Sequence, residues 1–290
     1  MNKHERGILS RFDFNRGKVR AIYGLMVLMI AAMVFSMLYP VSYLFMKALK
    51  RNQELFSFPP RFLPTEWVWG NFAKSWGYID LLQFMKNTLA IFGGNMLSIM
   101  LITGLAAFSL SKMEVPMKRY ISLFFLTTLL IPPTTYIIPN FINLKELGLL
   151  NSFWAFWLPA GANAFYLLLL KSFFDDLHHE LFEAGRIDGA SELRLYFQLA
   201  FPLSVPIYAT LAIFVFSTAW NDWFWPSLVM HSDSKYPLAT AILKYVIQAR
   251  MMDWNLRFAI LAMISVPPIL VFLLFQKYIM RGLHLSGVKG

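Results

Sequence analysis

The sequence predicts an all-α polytopic membrane protein with six transmembrane helices, and three observations carry that expectation. Of its 290 residues, 58% are hydrophobic and 14% charged, with a mean hydropathy of +0.53; a soluble domain carries about 25% charged residues. Apolar runs long enough to cross a bilayer recur along the chain. Lys and Arg flank these runs instead of forming a basic face, which argues against nucleic-acid binding as the meaning of the +10 net charge. The chain has no cysteine, so disulfides and thiolate metal sites are excluded. No composition shift divides it, and it reads as a basic leader (1–20), one membrane domain (21–280) and a short tail (281–290).

The leader holds Lys3, Arg6, Arg11, Arg16, Lys18 and Arg20 against Glu5 and Asp13, a balance that belongs on the cytoplasmic side. The apolar run over 21–46 is too long for a signal peptide and lacks a small-residue cleavage site. It therefore reads as a retained first span, kinked near its outer end by Pro40. Segment 47–82 is external, since Pro59, Pro60 and Pro64 forbid a continuous helix there and Trp67, Trp69 and Trp76 suit a membrane boundary. The second span runs from Met85 or Asn87 to Leu110, and the turn holding Lys112, Glu114, Lys118 and Arg119 returns the chain to the cytoplasm.

The third span, 120–138, carries Pro132-Pro133. A double proline leaves carbonyls unpaired, which a bilayer tolerates where another helix or a water-filled path satisfies them. Pro132 and Tyr136 are thus candidates for lining such a path. An outer connection (140–150) leads to the fourth span, 151–170. The fifth, 203–230, ends with Trp220, Asn221, Asp222 and Trp223, where a carboxylate must face protein or water; substrate contact, a helix-end cap and a subunit contact all remain open for it. A second external segment (231–257) precedes the sixth span, 258–280, interrupted by Pro267-Pro268. Six spans bring both termini to the cytoplasm.

Between the fourth and fifth spans lies a charged insert, 173–206, which reads as two short amphipathic helices joined by a bend. Leu177, Leu181, Ala184 and Ile187 share one face of the first helix, with Glu180, Glu183 and Arg186 beside it. Asp188-Gly189 stops that helix, and Asp188 or Ser191 caps the next. Leu193, Tyr196, Phe197 and Ala200 form the second helix's stripe, and Pro202 and Pro206 mark its end.

The order Glu183-Ala184-Gly185, Gly189, then Leu199, Phe201 and Pro202 resembles the EAA loop of permease subunits of binding-protein-dependent ABC importers. The run E-A-x-R-I-D-G-A-S resembles the carbohydrate-uptake branch, as does the W-N-D-x-x-x-P run from Trp220. The ending Gly282-Leu283 to Val288-Lys289-Gly290 resembles that of the maltose-type second permease subunit. Gly185, Leu199, Phe201 and His178 depart from the pattern, Gly185 at some expense of local helix stability. The resemblance implies a second permease, two ATPase subunits holding ATP and Mg, an extracytoplasmic solute-binding protein, a sugar substrate, and residence in the bacterial inner membrane. It implies a cytoplasmic coupling helix in which Glu183, Ala184, Gly185, Asp188, Gly189 and Pro202 engage an ATPase. It also implies a tail (Leu283, Ser286, Gly287, Lys289, Gly290) reaching toward the ATPase dimer.

Beside the resemblance, the residues point the same way. No G-x-x-x-x-G-K-[ST] phosphate cradle, metal-ligand cluster or nucleophile constellation occurs, so the expectation is a non-enzymatic chain whose energy source and cofactors lie elsewhere. The alternatives are an ion-coupled transporter, which needs carboxylates within its spans, and a non-transporting scaffold or sensor.

Overall fold

A computed structural model describes residues 17–287, with side chains through Gln276. Among the described residues every regular element is a helix. The chain forms two units: one holds the chain up to Ser75 together with Met252–Met263, the other holds Trp76–Met251 and the chain from Ile264.

In the first unit, α1 (Gly17–Ala48) runs unbroken through Pro40 and leaves its apolar sides uncovered for most of its length, as a bilayer segment does. Beyond a single tight turn at Asn52–Phe56, the prolines hold the chain out of helix until α2 (Gly70–Trp76), as expected. The end of α1 is closed by the buried Asn71, whose amide donates to the carbonyls of Ala48 (2.8 Å) and Lys50 (2.9 Å). Ala48, Ala259 and Ala262 keep the packing there close. Trp67 and Trp69 stand exposed and stacked, 6.3 Å apart.

The second unit begins with α3 (Leu81–Lys112), one long helix with a wide turn at Ile99–Thr103. The expected third span is not a rod: α4 (Lys118–Thr128) and α5 (Pro133–Glu146) meet at 95°, because Pro132-Pro133 cannot continue α4. The expected outer connection is therefore partly helical. The fourth run also breaks, into α6 (Trp154–Ala160) and α7 (Ala164–Asp175), where Asn163 caps α7 by accepting from the Tyr166 amide at 3.0 Å. The insert follows as α8 (His179–Ile187) and α9 (Glu192–Leu203). A 77° bend at Ser204 leads into α10 (Val205–Asn221), with Pro202 still inside α9 and Pro206 in the first turn of α10. The fifth run then breaks again before α11 (Phe224–Val229). Residues 231–257, expected to be external, contain α12 (Leu238–Ile247), and α13 (Trp254–Gly287) passes through Pro267-Pro268 without the expected interruption.

α1, α3 and α13 are long and apolar enough to cross a membrane, and the bent pairs α4–α5 and α9–α10 meet the same test as pairs. The protein is thus an all-helical polytopic membrane protein. The larger core of the second unit sits where the insert meets the bundle, around Phe108, Phe174, Phe182, Tyr196 and Leu211.

Candidate functional site

The insert is a rigid elbow with one face locked to the bundle and one face outward. Its corner is a helix stop: Gly189 has φ +78°, and the amides of Gly189 and Ala190 donate to the carbonyls of Arg186 (3.0 Å) and Gly185 (2.9 Å). That paired closure needs a left-handed residue, which glycine supplies without a steric penalty. Asp188 ends α8 without serving as the next cap; Ser191 does so, accepting from the Arg194 amide at 3.4 Å. Gly185 allows the two arms to close, since a Cβ there would lie 2.5 Å from Leu195 Cδ2.

The inward face of α8 is set by Phe182, while the stripe read from the sequence divides, with Leu177 packed on the core. Phe182 is 0% exposed and packs on Phe108 at 5.8 Å, whereas Leu181 is 46% and Ile187 86% exposed, with Ala184 also outside. On α9 the expected stripe splits: Tyr196 and Ala200 are buried with Leu195, while Leu193 and Phe197 are exposed. Within α8 the inward face holds one apolar side chain, Phe182, beside Gly185 and Arg186, so apolar periodicity does not mark it.

Two cations hold the inward face. Arg186 forks onto Glu192, Nε to Oε1 at 2.7 Å and Nη2 to Oε2 at 3.1 Å, and Nη2 also donates to the Lys112 carbonyl at 2.8 Å. The hydrogen bonds it donates to Glu192 push the guanidinium pKa further up, so it stays charged. Lys112 Nζ donates to the Leu177 carbonyl at 2.6 Å and lies over the Phe182 ring at 5.3 Å. At the entry to the elbow, Asp175 accepts from Ser111 (2.6 Å) and Lys171 (2.7 Å). Lys112, Phe182 and Glu192 were not singled out in the sequence. Their signal is slight: a lysine closing an apolar run, and a phenylalanine in register with Gly185 and Arg186.

Glu183 points away from this lock, with His179 Nδ1 3.0 Å from Oε1 and both side chains more than half exposed. Glu183, Leu181, Ala184 and Ile187 thus form an acidic and apolar outward face on a helix fixed from behind.

The other candidates fall in separate places. Trp220 is buried, stacks on Phe216 and donates to the Ile264 carbonyl at 3.2 Å. Asn221 bonds back to the Ser217 carbonyl at 2.8 Å. Asp222 Oδ1 accepts from the amides of Phe224 and Trp225, both at 3.1 Å, so it acts as a helix cap. Trp223 is half exposed. Tyr136, beside the Pro132 break, lines a cavity of about 530 Å³ with Asn140, Asn163 and Phe165, and none of Trp220 to Trp223 joins it. The breaks in α4–α5 and α6–α7 both border this cavity. Leu283, Ser286 and Gly287 fall in the last turns of α13, whereas Lys289 and Gly290 lie outside the described residues.

The described helices are broken at Pro132-Pro133 and bent at Ser204, and they carry an elbow braced to the bundle on one face. The sequence profile of the binding-protein-dependent transport system inner membrane component family matches residues 99–284, and the chain belongs to that family. It is an ABC importer permease, a membrane transport component and not an enzyme. It is 30% identical over 262 residues to the sn-glycerol-3-phosphate transport system permease protein UgpE of Pectobacterium atrosepticum, covering 86% of this chain and 92% of that one. It is 31% identical over 248 residues to the diacetylchitobiose uptake system permease protein NgcG of Streptomyces coelicolor, covering 83% and 80%. Its fold matches a chain in the crystal structure of a bacterial ABC transporter involved in the import of the acidic polysaccharide alginate, with a TM-score of 0.82 and 22% identity over 94% of this chain and 99% of that one.

Proposed function

We propose that this chain forms half of the translocation path of an ATP-driven sugar importer in the bacterial inner membrane. A second permease completes the path, two ATPase subunits bind ATP and Mg, and a solute-binding protein delivers the sugar outside. Six spans place both termini and the elbow in the cytoplasm. The outward face of α8 docks in a cleft of one ATPase subunit, with Glu183 meeting a basic group there and Ala184, Gly185, Asp188, Gly189 and Pro202 shaping the fit. The tail from Leu283 to Gly290 reaches toward the ATPase dimer.

The observation that carries this reading is the contrast between the two faces of α8: one buried and clamped by Arg186 and Lys112, the other apolar, acidic and exposed. A helix held in this way transmits displacement, which a mobile loop would absorb. Closure of the ATPase dimer then swings the elbow and turns the path from inward- to outward-facing.

The glycerol phosphate and diacetylchitobiose systems of the two relatives support a sugar or sugar-like cargo. Discontinuous helices border substrate sites in many transporters. The cavity beside Tyr136 carries Asn140 and Asn163 and no charged side chain, which suits sugar hydroxyls more than a carboxylate or phosphate.

The test replaces Glu183 with Lys, or Gly189 with Val, in the complete complex. A thermal-shift screen of the cognate binding protein first identifies the sugar. Both variants insert and assemble, yet lose uptake in reconstituted vesicles. Wild-type uptake by either would refute the docking role.

A further inference from the structure

Two tyrosines join the elbow to the bundle at a point where neither helix is regular. Tyr196 is fully buried and Tyr208 nearly so, with their hydroxyl oxygens 2.8 Å apart, and the Tyr196 hydroxyl also lies 2.5 Å from the Met100 carbonyl. A carbonyl only accepts, so the single Tyr196 proton goes to Met100 and the Tyr208 hydroxyl donates to Tyr196. The chain of bonds therefore runs in one direction, from α10 through α9 to the backbone of α3.

Both helices are widened for it. In α3 the Gly104 amide reaches back to the Ile99 carbonyl, which releases Met100 from its usual helical partner. In α9 the Phe201 amide reaches back to Tyr196 in the same manner. Such wide turns are uncommon and concentrate at functional positions. Gly104 leaves the room: a Cβ there would lie 2.2 Å and 2.3 Å from the Tyr196 and Tyr208 hydroxyl oxygens. The assembly sits beside the 77° bend at the fully buried Ser204.

Simple core packing does not require these hydroxyls. The Tyr196 ring already meets Phe108 at 5.6 Å, Phe174 at 6.4 Å and Phe197 at 5.0 Å, and phenylalanine would fill the same space without a polar group to satisfy. What the hydroxyls add is direction and register, since apolar contact alone allows α9 to slide along α3.

We propose that Tyr196 and Tyr208 are positioning residues for the transport stroke, latching the second arm of the elbow to both α3 and α10 so that the three move as one body. This rests on the reading of the elbow as the ATPase dock. Tyr196→Phe strands the Met100 carbonyl and cuts both links. Tyr208→Phe keeps the bond to Met100 and frees only α10.

The test uses the full complex in nanodiscs, with binding protein supplied. The chain itself has no cysteine, so with any cysteines of the partner subunits replaced, spin labels at Leu97→Cys on α3 and Gln198→Cys on α9 report one distance. In the wild type that distance is the same in nucleotide-free and vanadate-trapped complexes. In Tyr196→Phe it changes between the two states, and binding-protein stimulation of ATP hydrolysis falls roughly ten- to a hundredfold, the equilibrium worth of the two hydrogen bonds it cuts. Tyr208→Phe shows a smaller loss and carries the test if Tyr196→Phe fails to assemble. Wild-type stimulation in both assembled variants, with a state-independent distance in Tyr196→Phe, would overturn the latch; where only Tyr208→Phe assembles, its wild-type stimulation would. Glu183→Lys separates the two levels: if it leaves stimulation intact, the docking reading fails. If it abolishes stimulation while the tyrosine variants keep theirs, only the latch fails.

Discussion

Replacing Arg186 with Met removes a side chain that ties both arms of the elbow to the end of α3, and its cost follows from the contacts. The fork onto Glu192 is charge-assisted, but Arg186 is 31% and Glu192 36% exposed, so water replaces part of it and the pair contributes about 1 kcal/mol. The bond to the Lys112 carbonyl adds about 1 kcal/mol more. Methionine keeps much of the apolar stem packing. A loss of about 2 kcal/mol corresponds to a roughly 30-fold rise in local opening of the elbow.

The amides of Gly189 and Ala190 report that opening directly, because their acceptors are the Arg186 and Gly185 carbonyls. Hydrogen exchange of the assembled complex should show these two amides exchanging about 30-fold faster in Arg186→Met, a ratio set by the 2 kcal/mol above. Arg186→Lys keeps the charge without the planar fork and should recover less than half of the protection. Wild-type protection at Gly189 and Ala190 in the methionine variant would refute the idea that Arg186 braces the corner.

Two further predictions concern residues away from the elbow. Asp222→Ala removes the cap on α11 and should destabilise the purified complex by about 1 kcal/mol, while Asp222→Asn, which still accepts from the amides, should not; the sugar preference of uptake is the same in all three proteins. A changed preference in the alanine variant would return Asp222 to the substrate path. Asn87 is buried and donates to the carbonyls of Ser234 (2.8 Å) and Tyr236 (2.9 Å), so Asn87→Leu strands two acceptors. A cost of about 2 kcal/mol, or about 4–8 °C in melting temperature, is expected by thermal unfolding in detergent.

Local chemistry was legible in the sequence wherever one residue type answers one backbone demand. Gly189 marked the corner because its φ is positive there, and Ser191 was one of the two caps the sequence left open. Pro132-Pro133 announced the break in the third run, though not that it turns the chain through 95°. At α8 the sequence grouped Leu177, Leu181, Ala184 and Ile187 on one face without saying which way that face turns. Leu181, Ala184 and Ile187 have core-like spacing and yet are exposed, because periodicity does not separate a buried apolar face from an exposed one. Asp222 carried three readings, and the positions of two downstream amides, which the sequence does not give, support the cap.

The sequence by itself determined that this chain lives in a membrane, that Pro132-Pro133 interrupts one of its runs, and which family it resembles, because hydropathy, proline and motif order are properties of neighbouring residues. Only the tertiary structure decided which face of the elbow is held and by what. The Lys112 carbonyl reaches Arg186, and the Met100 carbonyl reaches Tyr196, across long stretches of intervening chain. A backbone carbonyl has the same chemistry at every residue, so no letter in the sequence marks the one that a distant side chain will find.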